Sequence, residues 1–569
     1  TERPNSLYDP SGSFQSINRR YDIVYGDVML NFNYNIRRFD IAATLGWTGR
    51  YENMNNMRVS TNGGLVTENW FDLNASRYTA SSTLQRMELL KTGYMGTLSL
   101  GWDNYLFLEL TGRQERSSTL KDKSFFYPSA NLSFLFSNAF RMPAWWNHGK
   151  LRLSYGIVGN APETYAANII YEQGSDNGFT WNYVPSSWGN ANIRPEKKYE
   201  YEIGLESKFL NNRLGFDVSY YNNRVKDQIL STPQPSSSGV KYVLMNVGEV
   251  ANEGWDISVS ATPVLTKNFR WDLTANYGIY RNKVVKLAEG VPYLEISNIG
   301  GGGAKIQAVE GRPMGDIYVQ MPQMNENGDY LVSDKGLYLN QTDLQRVGNI
   351  NPDGVGGLFS SFSYKNIFLD FSIDFRIGGD VINEMYQYST ASGLTPESLQ
   401  YRDTEHGGLS YYYPGNNNAS GTPVQVDPSS GAGPNGEIIY HDGIILPGVV
   451  ASTGEKNTRI IPAGYYYNQT YNWGTQSEQL TYRHSVFDNT YVKLRELTIG
   501  YQFPEKLTAK LGMTRLSVSI FGRNLFYFYK ALKNYDAESS VGTSWASQAV
   551  VGGSTTATRN FGVSLRASF

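Results

Sequence analysis

The sequence predicts an all-β protein, a transmembrane antiparallel β-barrel with long extracellular loops. Three observations carry that prediction. Apolar and polar residues alternate with a period of two along segment after segment, as on a strand with one face in lipid and the other in enclosed water. The connections between these segments are tight and long in turn. No stretch reaches the roughly 18 consecutive apolar residues that a membrane-spanning helix requires.

Composition narrows the function classes. The 569 residues are 40% hydrophobic and 14% aromatic, with 42 Tyr, 57 Gly and no Cys, and the mean hydropathy is -0.42. Without cysteine there is no disulfide framework and no thiolate metal site. A formal net charge of -2 leaves no basic patch for nucleic acid. By length alone roughly three or four soluble domains would be expected, yet the period of two runs through most of the chain.

Fifteen strands are predicted, near residues 22–36, 39–50, 83–102, 104–116, 127–136, 150–159, 197–209, 212–225, 250–263, 268–283, 355–364, 367–379, 488–503, 514–526 and 559–569. In "NIFLDFSIDFRIGG" Ile367, Leu369, Phe371, Ile373, Phe375 and Ile377 face one way, against Asp370, Ser372, Asp374 and Arg376. "KKYEYEIGLESKF" opposes Tyr199, Tyr201, Ile203, Leu205 and Phe209 to Glu200, Glu202, Glu206 and Lys208. No helical periodicity of comparable strength appears. A soluble sandwich uses such strands too, and connection lengths decide against it. Arg37–Arg38, Asp103–Asn104, Asn211–Asn212 and Leu265–Asn268 are tight turns. The intervening connections run to about 37 residues after Gly159, about 71 after Lys283, about 108 after Gly379 and about 32 after Phe526, the asymmetry of periplasmic turns and extracellular loops.

Two local features follow. In "YVKLRELTIGYQF" Val492 and Leu494 lie on one parity and Leu497, Ile499, Tyr501 and Phe503 on the other, which predicts a bulge near Arg495. The last strand runs to Phe569, as in a closed wall with a periplasmic C-terminus. An odd strand count then places Thr1 in an extracellular loop and leaves strands to be supplied from outside this sequence, since single-chain bacterial barrels have an even number.

Several stretches carry a family resemblance. "YGIVGNAPETY", "GNANIRPEKKYEYEIGLESKFLNNRLGFDVSYYNNRVKDQIL", "NVGEVANEGWDISVSATPV", "VEGRPMGDIYV", "VGNINPDGVGGLFSSFSYKNIFLDFSI", "YVKLRELTIGYQFP" and "SIFGRNLF" occur in this order. The sequence from about Tyr21 onward thereby resembles the C-terminal part of SusC/RagA-type TonB-dependent transporters of Bacteroidetes outer membranes. The resemblance implies a barrel of about 22 strands, of which residues 1–569 would supply strands 8 to 22. It also implies an N-terminal plug and TonB box outside this sequence, drive from the TonB-ExbB-ExbD system, and a SusD-type surface lipoprotein acting as a lid. Its implied function is active import of oligosaccharides or oligopeptides. A siderophore receptor of the same energy class and a surface assembly or adhesion scaffold are the alternatives.

Candidate contacts with cargo lie in the long loops, which carry function when set on a rigid scaffold. Three aromatic clusters stand out: Tyr411, Tyr412 and Tyr413; Tyr465, Tyr466, Tyr467, Tyr471 and Trp473; and Trp181, Tyr183 and Trp188. Aromatic faces stack on sugar rings, and phenol and indole tips bond to peptide or glycan groups. The same rings also suit loop packing or a docked lid. Glu200, Glu202, Glu206, Asp370, Asp374 and Arg376 are expected to face the lumen, and Tyr201, Trp255 and Trp271 the membrane interfaces. His148, His406, His441 and His484 are isolated and lack metal-ligand spacing; they read as scattered loop histidines. "NENGDY" reads as a turn and "NIGGGGAK" as a glycine-rich loop rather than a phosphate cradle. No catalytic constellation can be assembled, so no enzyme activity, metal or cofactor is expected.

Overall fold

The computed structural model describes residues 1–6, 11–120, 124–176, 179–235, 237, 239–415, 421–472, 482–553 and 557–569. All fifteen predicted strands form: β1 Ser13–Ile36, β2 Phe39–Leu65, β3 Ser76–Trp102, β4 Leu106–Ser117, β5 Ser124–Phe134, β6 Trp146–Asn160, β7 Glu196–Phe209 and β8 Leu214–Pro233. There follow β9 Tyr242–Leu265, β10 Phe269–Lys286, β11 Gly354–Tyr364, β12 Ile367–Ile377, β13 Tyr491–Gln502, β14 Arg515–Lys530 and β15 Asn560–Ser568.

The chain divides into two units. One comprises Thr1–Lys208, Ser219–Ala251 and Ala288–Val291, the other Phe209–Val218, Asn252–Leu287 and Pro292–Phe569, so the division falls inside β7, β8 and β9. Within the first, β1 to β6 each pair antiparallel with the next, and β6 pairs with β7. Within the second, β10 to β15 form the same kind of antiparallel ladder.

The tight turns are made by residues that tolerate positive φ. Arg37 at 55°, Asp103 at 51° and Asn104 at 58° sit in the left-handed region, where Asp and Asn cost least. Along β2 and β3 the apolar side chains Leu45, Trp47, Leu90 and Tyr94 are exposed while Thr48 and Glu52 between them are covered. An uncovered apolar face over a covered polar one inverts the soluble arrangement and suits a wall set in lipid. Tyr201 and Trp255 are likewise exposed; Trp271 instead stacks on Phe362 at 5.5 Å and donates its Nε1–H to Ser360 at 2.9 Å.

Three outcomes differ from expectation. First, β1, β2 and β3 are 24, 27 and 27 residues long, well past the roughly 9–11 that cross a bilayer. Beyond hydrocarbon both faces meet water, so "ENMNNMRVSTNGG" keeps its backbone ladder without apolar alternation. Second, the loop 378–490 contains two short helices, α1 Glu384–Ala391 and α2 Ala463–Tyr471. Residues on several sides of α2 are enclosed, Ala463, Tyr467, Thr470 and Tyr471 among them, which erases the one-sided stripe that reveals a helix in sequence. Third, His148 stands within β6 rather than in a loop.

The bulge near Arg495 is present: Ser372 pairs with Glu496 and Ile373 with Leu494, leaving Arg495 without a counterpart. "NENGDY" closes as a turn, with the Asn325 side chain accepting from the N–H groups of Asn327 and Asp329. The glycine run spans Gly300–Gly302 between two antiparallel strands, Tyr293–Ile299 and Ala304–Val309, with no helix following. Soluble-type cores lie in the long loops. Ile306, Ile317 and Val319 of loop 287–353 pack with Ile382, Tyr482 and Val550.

Candidate functional site

Loop 378–490 folds around its own tyrosines. Leu409–Tyr412 pairs with Val424–Gln425 on one side and with Tyr440–Ile444 on the other, and the latter with Ile461–Pro462. Period two then sends Tyr411 and Tyr413 to one face and Tyr412 to the other. Tyr411 is 1% exposed; it stacks on Tyr440 at 5.5 Å, meets Tyr413 edge-on at 5.5 Å and donates to Asp442 Oδ1 at 3.1 Å. Gly443 permits the close approach of these strands, because a Cβ there would stand 2.7 Å from Ile460 and 2.8 Å from the Leu409 carbonyl.

Helix α2 carries the second cluster. Tyr467 donates to the Glu397 carbonyl at 2.7 Å, and its ring lies 5.1 Å from Tyr466 and 6.1 Å from Tyr471. Tyr386 of α1 meets Tyr471 edge-on at 6.3 Å, and His484 tilts against Tyr471 at 5.8 Å. The Arg402 guanidinium sits over Tyr467 at 5.5 Å and donates to the Ser398 carbonyl at 2.8 Å. Together these elements enclose a cavity of about 550 Å³ lined by Tyr338, Tyr386, Tyr401, Tyr466, Tyr467 and Tyr471, with Glu397, His484 and the Leu409 and Ile444–Pro447 segments.

Burial sets the protonation of this wall. It pushes Tyr467 up to about 12 and raises Tyr466 and Tyr471 as well, neighbouring phenols adding to the effect. Burial, helped by Arg483, holds His484 below the ordinary imidazole range. At neutral pH the cavity therefore presents neutral phenols as hydrogen-bond donors, a neutral imidazole and aromatic faces. Such a surface binds by stacking and by directed bonds to hydroxyl or amide groups.

Of the residues singled out in sequence, Tyr466, Tyr467 and Tyr471 line the cavity and Tyr411 and Tyr413 form the adjoining core. Tyr412 is half-buried and Tyr465 is exposed. Trp473 lies outside the described residues. Trp181 is exposed and Trp188 half-buried in the first unit, where Trp188 meets Tyr171 edge-on at 6.5 Å. Sequence reading missed Tyr338, Tyr386, Tyr401 and His484, which reach the cavity from separate segments and belong to no local aromatic run.

A family model described as "TonB dependent receptor-like, beta-barrel" matches residues 1–314. The chain belongs to the TonB-dependent receptor β-barrel family. Members of this family stand in the outer membrane as receptors and transporters. A TonB-dependent receptor of Formosa agariphila is 30% identical over 52% of this chain and 32% of its own length, and a second from that organism is 23% identical over 79% and 42%. The TonB-dependent receptor SusC of Bacteroides thetaiotaomicron is 27% identical over 39% of this chain and 24% of its own length. The chain thus spans less than half the length of these curated relatives. In fold it is similar to a chain of the RagAB peptide transporter, with a TM-score of 0.72 at 19% identity, covering 100% of this chain and 58% of that one. This TonB-dependent receptor barrel is SusC- and RagA-like.

Proposed function

We propose that this chain is the greater part of the barrel of an outer-membrane importer of oligosaccharides or oligopeptides, and that the tyrosine-lined cavity of loop 378–490 takes the cargo. The observation that carries the reading is the convergence of six tyrosines from four segments around one cavity. Tyr386, Tyr466, Tyr467 and Tyr471 pack on one another and still line the cavity, whereas Tyr411, Tyr413 and Tyr440 close on one another without lining it. The similarity to SusC and to the RagAB peptide transporter supports the same reading. In it, a SusD-type lipoprotein covers the loops, and a plug and further strands complete the barrel. Coupling to TonB-ExbB-ExbD runs through that plug.

The test is uptake by cells carrying the intact protein. Tyr386→Ala and Tyr466→Ala each remove one ring from the wall, and loss of about 1 kcal/mol of stacking per ring lowers cargo affinity several-fold. Labelled oligopeptide and oligosaccharide mixtures identify the cargo by which of them is retained. Uptake unchanged in the double variant, with the barrel normally folded, would remove the cavity from the pathway.

A further inference from the structure

Loop 161–195 of the first unit carries a run of apolar side chains for which cargo binding supplies no role. Ile169 is 56% exposed, Ile170 61%, Phe179 77% and Trp181 48%. Residues 164–171, "TYAANIIY", bear no charge. Strand Phe179–Tyr183 pairs with Glu172–Asp176, and the period of two puts Phe179, Trp181 and Tyr183 on one face of that hairpin, with Glu172, the partner of Tyr183, at one end of the same face.

Two contacts fix where the run begins. The Glu88 N–H donates to Tyr165 Oη at 3.2 Å, so the loop lies beside β3 just past Lys91, where pairing with β4 ends. A cavity of about 920 Å³ has Tyr51 and Leu90 on one wall and Tyr165, Ile169 and Ile170 on the other. Tyr51 and Leu90 are cross-strand partners, in step with Leu45, Trp47 and Tyr94 on the apolar face of β2 and β3. From Phe39, at the periplasmic turn, to Tyr51 the strand climbs about 40 Å at about 3.3 Å per residue. With a tilt of about 40° that is about 30 Å along the membrane normal, the thickness of the hydrocarbon core. The cavity therefore opens at the outer interface, the level at which Trp and Tyr belong.

We propose that this cavity and the Phe179–Trp181–Tyr183 face bind an outer-leaflet lipid, its acyl chain against Tyr51, Leu90, Ile169 and Ile170 and its head group further out, at the level where the Tyr165 hydroxyl meets Glu88. Loop 161–195 is then an interfacial anchor, and Trp181 serves the membrane rather than the cargo. The groove is continuous with the lipid-facing strand surface, its loop wall carries no charge and the one carboxylate of its lining, Glu88, stands past Leu90 at the outer end, so the acyl layer that covers Leu45 also reaches into it.

Residues 1–569 hold no cysteine, so once any cysteine in the rest of the protein is replaced by serine, single-cysteine nitroxide labels read the environment directly. The intact protein, labelled in turn at Ile170→Cys, Leu45→Cys and Thr453→Cys, is reconstituted in vesicles of lipopolysaccharide and phosphatidylethanolamine, and collision with oxygen is compared with collision with a nickel chelate. The expected oxygen-to-nickel ratio at position 170 exceeds that at position 453 several-fold and falls below that at position 45, which lies nearer the bilayer centre. A ratio at position 170 equal to that at position 453 overturns the proposal. So does spin–spin broadening at position 170 that vanishes on dilution with unlabelled protein, which would assign the face to a second copy of the chain. As a second readout, quenching of tryptophan fluorescence by lipids brominated near the head group should fall in Trp181→Phe; no fall counts against the hairpin face.

Discussion

At the scale of single residues, Arg495 has the most consequences. Its extra place in β13 brings its side chain to the face that carries Asp374 and the loop carboxylate of Glu538. Nε donates to Asp374 Oδ1 at 3.0 Å, and Nη1 donates to Glu538 Oε2 at 2.9 Å and to Asn524 Oδ1 at 2.8 Å. Lys493, almost fully buried, also pairs with Glu538 and lies 4.7 Å from the centre of the Tyr527 ring. Arg495→Met keeps an unbranched stem without the guanidinium and leaves two carboxylates short of a cation. The expected loss is about 1–2 kcal/mol, read as a lower unfolding temperature in detergent, and Asp374→Asn in the same protein should restore part of it. His484 supplies a pH dependence whose sign follows from its depressed pKa. The unfolded imidazole takes up a proton near pH 6.5 while the folded one does not. Protonation thus favours unfolding as pH falls from about 6.5 to the folded value and adds nothing below it. Amide exchange across Ala463–Tyr471 should show wild type losing protection on acidification relative to His484→Gln, and identical curves for the two would remove His484 from the account.

At the scale of elements, what the sequence disclosed and what it hid have one physical cause. Lipid imposes alternation on whatever crosses it, and all fifteen strands could therefore be read from their apolar parity, as could the bulge that breaks it at Arg495. Where lipid stops the constraint stops, and the outer ends of β1, β2 and β3 were missed although their ladder is continuous from Gln15↔Ser60 to Ile36↔Phe39. The loop elements follow rules of soluble packing at short range: α1 is capped by the Asn383 side chain accepting from the Tyr386 N–H at 2.9 Å, a signal too brief to stand out. The candidate cavity was half legible for a related reason. Tyr466 and Tyr467 announce themselves as a run, whereas Tyr338, Tyr386 and Tyr401 are brought to it only by tertiary folding. If the ends of β2 and β3 are extramembrane, removing the four facing pairs from Met57↔Leu84 to Ser60↔Ser81 should leave insertion intact. The shortened protein is expected to keep the folded, heat-modifiable band on gels, and its disappearance would mean that those pairs are needed for the wall itself.

At the scale of the whole molecule, the strand edges bear on how the barrel is completed. From Ser16 onward β1 has a strand partner only in β2, and β15 only in β14, among the described residues. Both edge strands expose apolar side chains, Val28 and Leu30 on one, Phe561 and Val563 on the other. In hydrocarbon every unpaired backbone amide or carbonyl costs several kcal/mol, so two such edges outweigh the about 5–15 kcal/mol by which an ordinary domain is stable. Under the proposal that further strands of the same protein pair with these edges, residues 1–569 expressed alone in an outer membrane should give no heat-modifiable folded form. Supplying the remaining portion of the protein as a separate polypeptide should restore that form and carry both polypeptides through purification together. A folded, monomeric 569-residue barrel recovered by itself, with the amides of β1 and β15 protected from exchange, would show that the two edges find each other and would end the proposal of added strands.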